Sequence, residues 1–260
     1  MPGRRYRPRV RILLAGLAAS GLAGCSGANH HADQAGPPVT SASTAPTPTA
    51  PTTAASTRTA PAPTGATPPA PPAFAYTIGT VTASDLPFTW RPGCPLPPSA
   101  LRLLQVTYWG FDGRAHPGRI VVNQAVSGAV VQVFRTLYEH RFPIHQMVPQ
   151  DAFHGDDNAA AAADDTSGFN CRAAVAPGPP QWSAHAFGEA IDVNDVENPY
   201  VYGATVIPPA GRAYLDRADV RTGMAEPGGI LVEAFASVGW QWGGRWSPGT
   251  DYQHFSSTGG

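Results

Sequence analysis

Between Ala35 and Ala73 the chain is almost wholly Pro, Thr, Ala and Ser, with Arg58 its only charge and Val39 its only large apolar residue. Such a stretch cannot bury enough apolar surface to offset the entropy of ordering it. Its prolines favour an extended chain rising at most ~3.1 Å per residue. Any fold with a core must therefore come from the residues after Ala73. Residues 25–73 read as a disordered tether with a reach of roughly 100 Å, and residues 74–260 as one folded unit of a size that carries a full core. The pair His30-His31 precedes the tether with no third ligand near it and reads as solvated.

Residues 1–24 hold five arginines and no acid, followed by the apolar run ILLAGLAASGLAGC. A basic start, a short apolar stretch and small residues before a cut site are the pattern of a secretory signal peptide. The run is too short to span a bilayer comfortably. Leu22-Ala23-Gly24-Cys25 resembles a bacterial lipoprotein box, which implies that Cys25 becomes the lipidated first residue. The expected location is the outer face of the cell membrane, with the folded unit in the cell-wall space. The formal net charge of −1 hides this asymmetry: without the leader, twelve basic residues face eighteen acidic ones, a net of −6. So acidic a chain is a poor partner for nucleic acid, whose phosphates require clustered Lys and Arg.

With Cys25 taken by lipid, Cys94 and Cys171 remain. Export implies an oxidising compartment, in which a disulfide between them is expected. Two buried free thiols are the alternative, because sequence does not fix connectivity.

The stretch YTIGTVT reads as a first strand by its β-branched alternation, and RIVVNQAV, 119–126, as another. Val126, Val130, Val133, Phe134 and Leu137 recur at helical spacing, which predicts an amphipathic helix from Ser127 to His140. PGGILVEAFASVG predicts a second helix, with Pro227 near its start and Gly239 at its end. GWQWGGRW and DYQHFSS read as paired strands. Helices and strands mix without regular βαβ alternation. The expected fold class is α+β, a single domain with a central, mainly antiparallel sheet flanked by helices.

The segment SAHAFGEAIDVN, 183–194, carries the chemistry. Alternation puts Ala190, Asp192 and Asn194 on one strand face and turns Ile191 and Val193 to the core. Gly188 permits a sharp turn that returns His185 to the side of Asp192. Imidazole and carboxylate are both good zinc ligands, and a catalytic zinc takes three protein ligands with one position open. The third is expected on a neighbouring strand, where Asp251-Tyr252-Gln253-His254 offers a histidine with a carboxylate three residues earlier. His116, His140, His145 and His154 have no partner at ligand spacing and read as structural or solvated.

Ser183-x-His185-x-x-Gly188-x-Ala190-x-Asp192, followed by Asp251-x-x-His254, resembles the signature of the zinc D-Ala-D-Ala peptidases. That family includes dipeptidases and carboxypeptidases of the VanX and VanY types and phage L-alanyl-D-glutamate endopeptidases. YWGFDGRAHPGRIVVN, FRTLYEHRFPI, DDTSGFNCR and the NPY at 198–200 are similar to a bacterial subgroup of it, so the likeness covers most of residues 105–256. The resemblance implies His185, Asp192 and His254 as ligands of Zn2+ and Asp251 as general base. It further implies Arg172 as a cationic group facing the substrate and Ser183 as a secondary site residue. Other members often carry Glu where Asp251 stands. The implied substrates are peptidoglycan stem peptides, cut as a D-Ala-D-Ala carboxypeptidase or, alternatively, as an endopeptidase. A wall-binding module that keeps the fold and metal without catalysis is the rival of another class, and it has no need of Asp251.

Overall fold

A hydrophobic helix laid across a short antiparallel meander forms the larger of the folded unit's two cores. The computed structural model describes residues 71–175 and 179–259. The expected signal peptide, Cys25, His30-His31 and the tether as far as Ala70 lie outside the described residues. β1 (Tyr76–Thr80), β2 (Leu101–Trp109) and β3 (Ala115–Asn123) form one antiparallel sheet in that order. β1 is exposed along its whole length, so its alternation does not mark a buried face, and it serves as an edge. β3 starts earlier than its apolar run indicates. It ends at Asn123, whose side chain accepts from the Ala125 N–H and turns Gln124–Val126 into a 3-10 helix.

α1 (Ser127–Glu139) follows the expected spacing, burying Val130, Val131, Val133, Phe134 and Leu137 against β2. α2 (Asp157–Ala162) escaped the periodicity because its interior is alanine. Asp156 caps it, accepting from the N–H groups of Asn158 and Ala159. The remaining strands are very short: β4 (Ala190–Asp192), β5 (Tyr200–Tyr202) and β6 (Thr205–Ile207). α3 (Ile230–Ala236) begins three residues after Pro227, because Gly228 takes a left-handed φ of 76° first. β7 (Gln241–Trp242), β8 (Thr250–Asp251) and β9 (His254–Ser256) complete the chain.

The α+β class with antiparallel strands is thus as expected, but the strands are divided. Among the described residues they form three three-stranded sheets, β1-β2-β3, β4-β9-β7 and β6-β5-β8. Every strand pairing within them is antiparallel. DYQHFSS is accordingly not one strand. Asp251 pairs with Tyr200, whereas His254 pairs with Asp192. The core joins the pieces: Ile191 and Val193 lie with Phe134, Leu231, Phe235 and Phe255 in a single apolar cluster. The rings of Phe235 and Phe255 stack 4.1 Å apart. A smaller cluster around Leu86, Leu101 and Phe169 includes Cys171. Cys94 and Cys171 are joined by a disulfide, with Cα atoms 5.8 Å apart.

Candidate metal centre

His185 sits in a 3-10 helix, Ala184–Phe187, that opens on Ser183 and closes on Gly188 at φ 61°. Ser183 Oγ accepts from the His185 N–H at 3.3 Å, so this serine shapes the turn that presents the imidazole. A Cβ on Gly188 would stand 2.6 Å from the Asn123 nitrogen. Only glycine allows the turn to dock on the end of β3, where Asn123 donates its N–H to the Gly188 carbonyl at 2.8 Å. From there the chain enters β4. Asp192 is held on one flank by Ser167, through two backbone hydrogen bonds of 3.0 Å each. On the other flank it pairs in register with His254.

The result is a buried triangle. His185 Nε2 lies 3.1 Å from Asp192 Oδ2, His254 Nδ1 lies 3.0 Å from Asp192 Oδ1, and the two ring nitrogens are 3.3 Å apart. His185 Nδ1–H donates to the Gly168 carbonyl at 2.7 Å. A carbonyl only accepts, so this bond leaves Nε2 with its lone pair free toward the triangle. Gly168 itself is tight: a Cβ there would meet the Val121 carbonyl at 2.4 Å. Burial disfavours the imidazolium of His185, but the Asp192 carboxylate outweighs it and raises the pKa above its ordinary value. Burial works against the Asp192 charge too, yet His185 and His254 hold its carboxyl well below the usual range. The three residues are the one group of His, Cys, Asp or Glu among the described residues whose ligand atoms converge in this way.

These distances fit zinc. Ligands at ~2.0–2.1 Å around a tetrahedral ion stand about 3.3 Å from one another. The spacings here are 3.1, 3.0 and 3.3 Å, the first two to different oxygens of Asp192, and the donor set of two imidazoles and one carboxylate leaves a fourth position open.

His185 and His254 line a cleft of about 450 Å³, together with Arg172, Trp182, Ser183, Tyr200, Trp246 and Asp251 among others. Asp251 comes from the sheet that pairs with Tyr200. Gly243 lies against it, where a Cβ would come within 2.6 Å of its carbonyl oxygen. Burial pushes the Asp251 carboxyl up to about 7, with His254 pulling the other way and Asp192 adding to the rise. Its Oδ1 is buried with no hydrogen-bond partner among the described residues. A carboxyl poised near neutrality, beside a metal triangle and with a free oxygen, can both take and return a proton.

Arg172 also reaches the cleft, but its guanidinium is ion-paired with Asp157 on α2. Nothing in the sequence marked Asp157, because no spacing rule links the start of an alanine helix to an arginine fifteen residues on. Glu189, the only acid inside the first motif besides Asp192, turns away from the cleft toward Asn123. Asn194 leaves the strand at φ 50°. Its amide bonds the carbonyls of Pro143 and Gly223, a structural role. The other histidines behave as expected: His116 pairs with Asp112, His145 with Asp164, and His140 with the Thr136 carbonyl, while His154 packs against Phe88.

A buried His-Asp-His triangle with an adjacent carboxyl is a donor set suited to holding a metal ion and to moving a proton beside it. Residues 177–257, which carry Ser183, His185, Asp192, Asp251 and His254, match the model of a family described as D-alanyl-D-alanine carboxypeptidase. Arg172 lies just ahead of the matched stretch. No curated protein and no solved structure matches the chain.

Proposed function

We propose that the chain is an exported, lipid-anchored zinc peptidase that acts on peptidoglycan stem peptides as a D-alanyl-D-alanine carboxypeptidase. The observation that carries this reading is the His185-Asp192-His254 triangle with the Asp251 carboxyl beside it in one cleft. Zinc held there would supply a Lewis acid and lower the pKa of a water to about 7. Asp251 takes the proton of the attacking water and returns it to the leaving amine, one carboxyl serving both steps. The aromatic walls Trp182 and Trp246 position the peptide and exclude bulk water from the reacting atoms. Arg172 either binds the terminal carboxylate of the substrate or supports the anionic intermediate.

The ion pair between Arg172 and Asp157 favours a second reading, an endopeptidase. An arginine whose charge is already met by a carboxylate has less to offer a second one. Two synthetic peptides separate the readings: one ending in D-Ala-D-Ala with a free carboxylate, and its C-terminal amide. Hydrolysis of the acid about 10- to 150-fold faster supports the carboxypeptidase, since amidation removes a charged hydrogen bond. Equal rates support an endopeptidase, and no cleavage of either peptide or of whole muropeptides supports a binding module. For the anchor, labelled fatty acid should appear on the wild-type chain in cells and be absent from Cys25→Ser; equal labelling of both would remove the lipid from the proposal.

A further inference from the structure

Beside the metal triangle lies a second cavity for which the peptidase reading has no use. It has a volume of about 90 Å³ and shares Arg172, Tyr200 and Asp251 with the main cleft. Asp195 and Gln253 also line it, and they are only 3% and 8% exposed. Asp195 Oδ1, Gln253 Oε1 and Asp251 Oδ1 are all buried without a hydrogen-bond partner among the described residues. A buried acceptor without a donor is destabilising, and buried polar groups are as a rule satisfied. Here one small cavity gathers three such acceptors, from β8, the bend between β8 and β9, and the turn after β4.

The charge around it is acidic. Asp157, Asp192, Asp195 and Asp251 reach its wall, against the single cation Arg172. Arg172 is met by Asp157, and both oxygens of Asp192 are engaged by the histidines. An anion would meet four carboxylates and an arginine whose charge is already engaged. A bare metal ion does not fit either, because the carboxylates here do not converge; the only three-ligand group among the described residues is the triangle itself. A primary ammonium group has three N–H donors and no acceptor. It can reach three separated acceptors at the end of a side chain or a chain terminus.

We propose that this cavity is a subsite for a primary ammonium group of the peptide substrate, held by Asp195 and Gln253 beside Asp251. The proposal rests on the peptidase reading, since the cavity opens on the cleft at Asp251, the group that handles the proton of the cleaved bond. The ammonium belongs to a residue close to that bond, either as the side-chain amine of a diamino acid or as a free α-amino terminus. The subsite makes a positive charge near the bond a condition of good turnover. It is a specificity element separate from Arg172.

The test uses the full chain loaded with zinc and a short set of peptides ending in D-Ala-D-Ala. One pair carries lysine or Nε-acetyl-lysine next to the terminal dipeptide, and a second pair has a free or an acetylated α-amino group. The amine that occupies the cavity should raise kcat/KM about 10- to 150-fold over its acetylated partner, the range expected of a charged hydrogen bond. Whichever pair shows the ratio names the source of the ammonium. In Asp195→Asn, with metal content and melting temperature checked, that ratio should fall to near one. Wild-type ratios near one in both pairs overturn the proposal while leaving the peptidase intact, and so does a ratio that survives in Asp195→Asn. Should no peptide be cleaved, the peptidase reading fails, and calorimetric titration of the same peptides decides the subsite alone. Tighter binding of a free amine that is lost in Asp195→Asn supports it, and equal affinities overturn it.

Discussion

His185 Nε2 and His254 Nδ1 stand 3.3 Å apart although sixty-nine residues separate them in the chain. With His185 Nδ1–H committed to the Gly168 carbonyl, two ring nitrogens that close and facing one carboxylate are best satisfied by a shared cation. We expect the full chain to bind one equivalent of zinc and to lose it in His185→Ala. Elemental analysis after dialysis checks this, together with a melting curve. A chelator should lower the melting temperature of the wild type, as removal of any ligand bound only to the folded state does, and should leave His185→Ala unmoved. A variant that retained a full equivalent would exclude His185 as a ligand.

Asp251→Asn should keep its metal and lose turnover by about 10²- to 10⁴-fold. The amide fills the same space but takes no proton, and Asp251 is outside the triangle. The check pairs a rate on the best peptide with a metal count on the same preparation. Gly243→Ala offers a milder version, since its methyl group would press on the Asp251 backbone. It should reduce turnover with little change in zinc content.

Asp165 gives a pH-dependent expectation for stability. Burial pushes its carboxyl up to about 8, with the neighbouring Asp164 adding to the rise. The unfolded chain releases this proton near pH ~3.9, whereas the folded chain holds it to about 8. The folded state therefore binds more protons across that window, and this group's contribution to stability falls as pH rises through it. Asp165→Asn, whose Oδ1 can still accept from the Val148 N–H, should remove that part of the slope. Denaturant melts at pH 5 and pH 8 on both proteins measure it. The variant should lose less stability than the wild type between the two, and parallel losses would contradict the assignment.

Reduction of the Cys94–Cys171 bridge should lower stability by roughly 2–4 kcal/mol, because it closes a long loop of chain. The bridge also sits one residue from Arg172 and packs in the smaller core cluster with Phe169. Cys94→Ala is therefore expected to melt earlier, and to bind substrate less well if Arg172 contributes to recognition. Denaturant melts and KM values read the two effects separately.

His185 and Asp192 were legible in the sequence because both sit in one short local pattern. Ser183, Gly188 and the apolar alternation of Ile191 and Val193 set the direction of His185 and Asp192 by backbone geometry alone. The helix at 127–139 was legible for the same reason, its apolar residues recurring once per turn. His254 was legible only as part of a motif at a distance. Its placement depends on β9 pairing with β4, which no local rule specifies.

Residue order alone thus dictates local geometry: the turn before β4 and the amphipathic face of α1. The rest came with the packed fold. Packing split Asp251 from His254 onto different sheets, because a strand interrupted at Tyr252 and Gln253 can pair with two partners. It met Arg172 with Asp157 from the first turn of α2, and it left Asp195 and Gln253 buried without donors. Charge pairing and desolvation depend on atoms brought together from distant parts of the chain. They become fixed only when the core that joins those parts has closed.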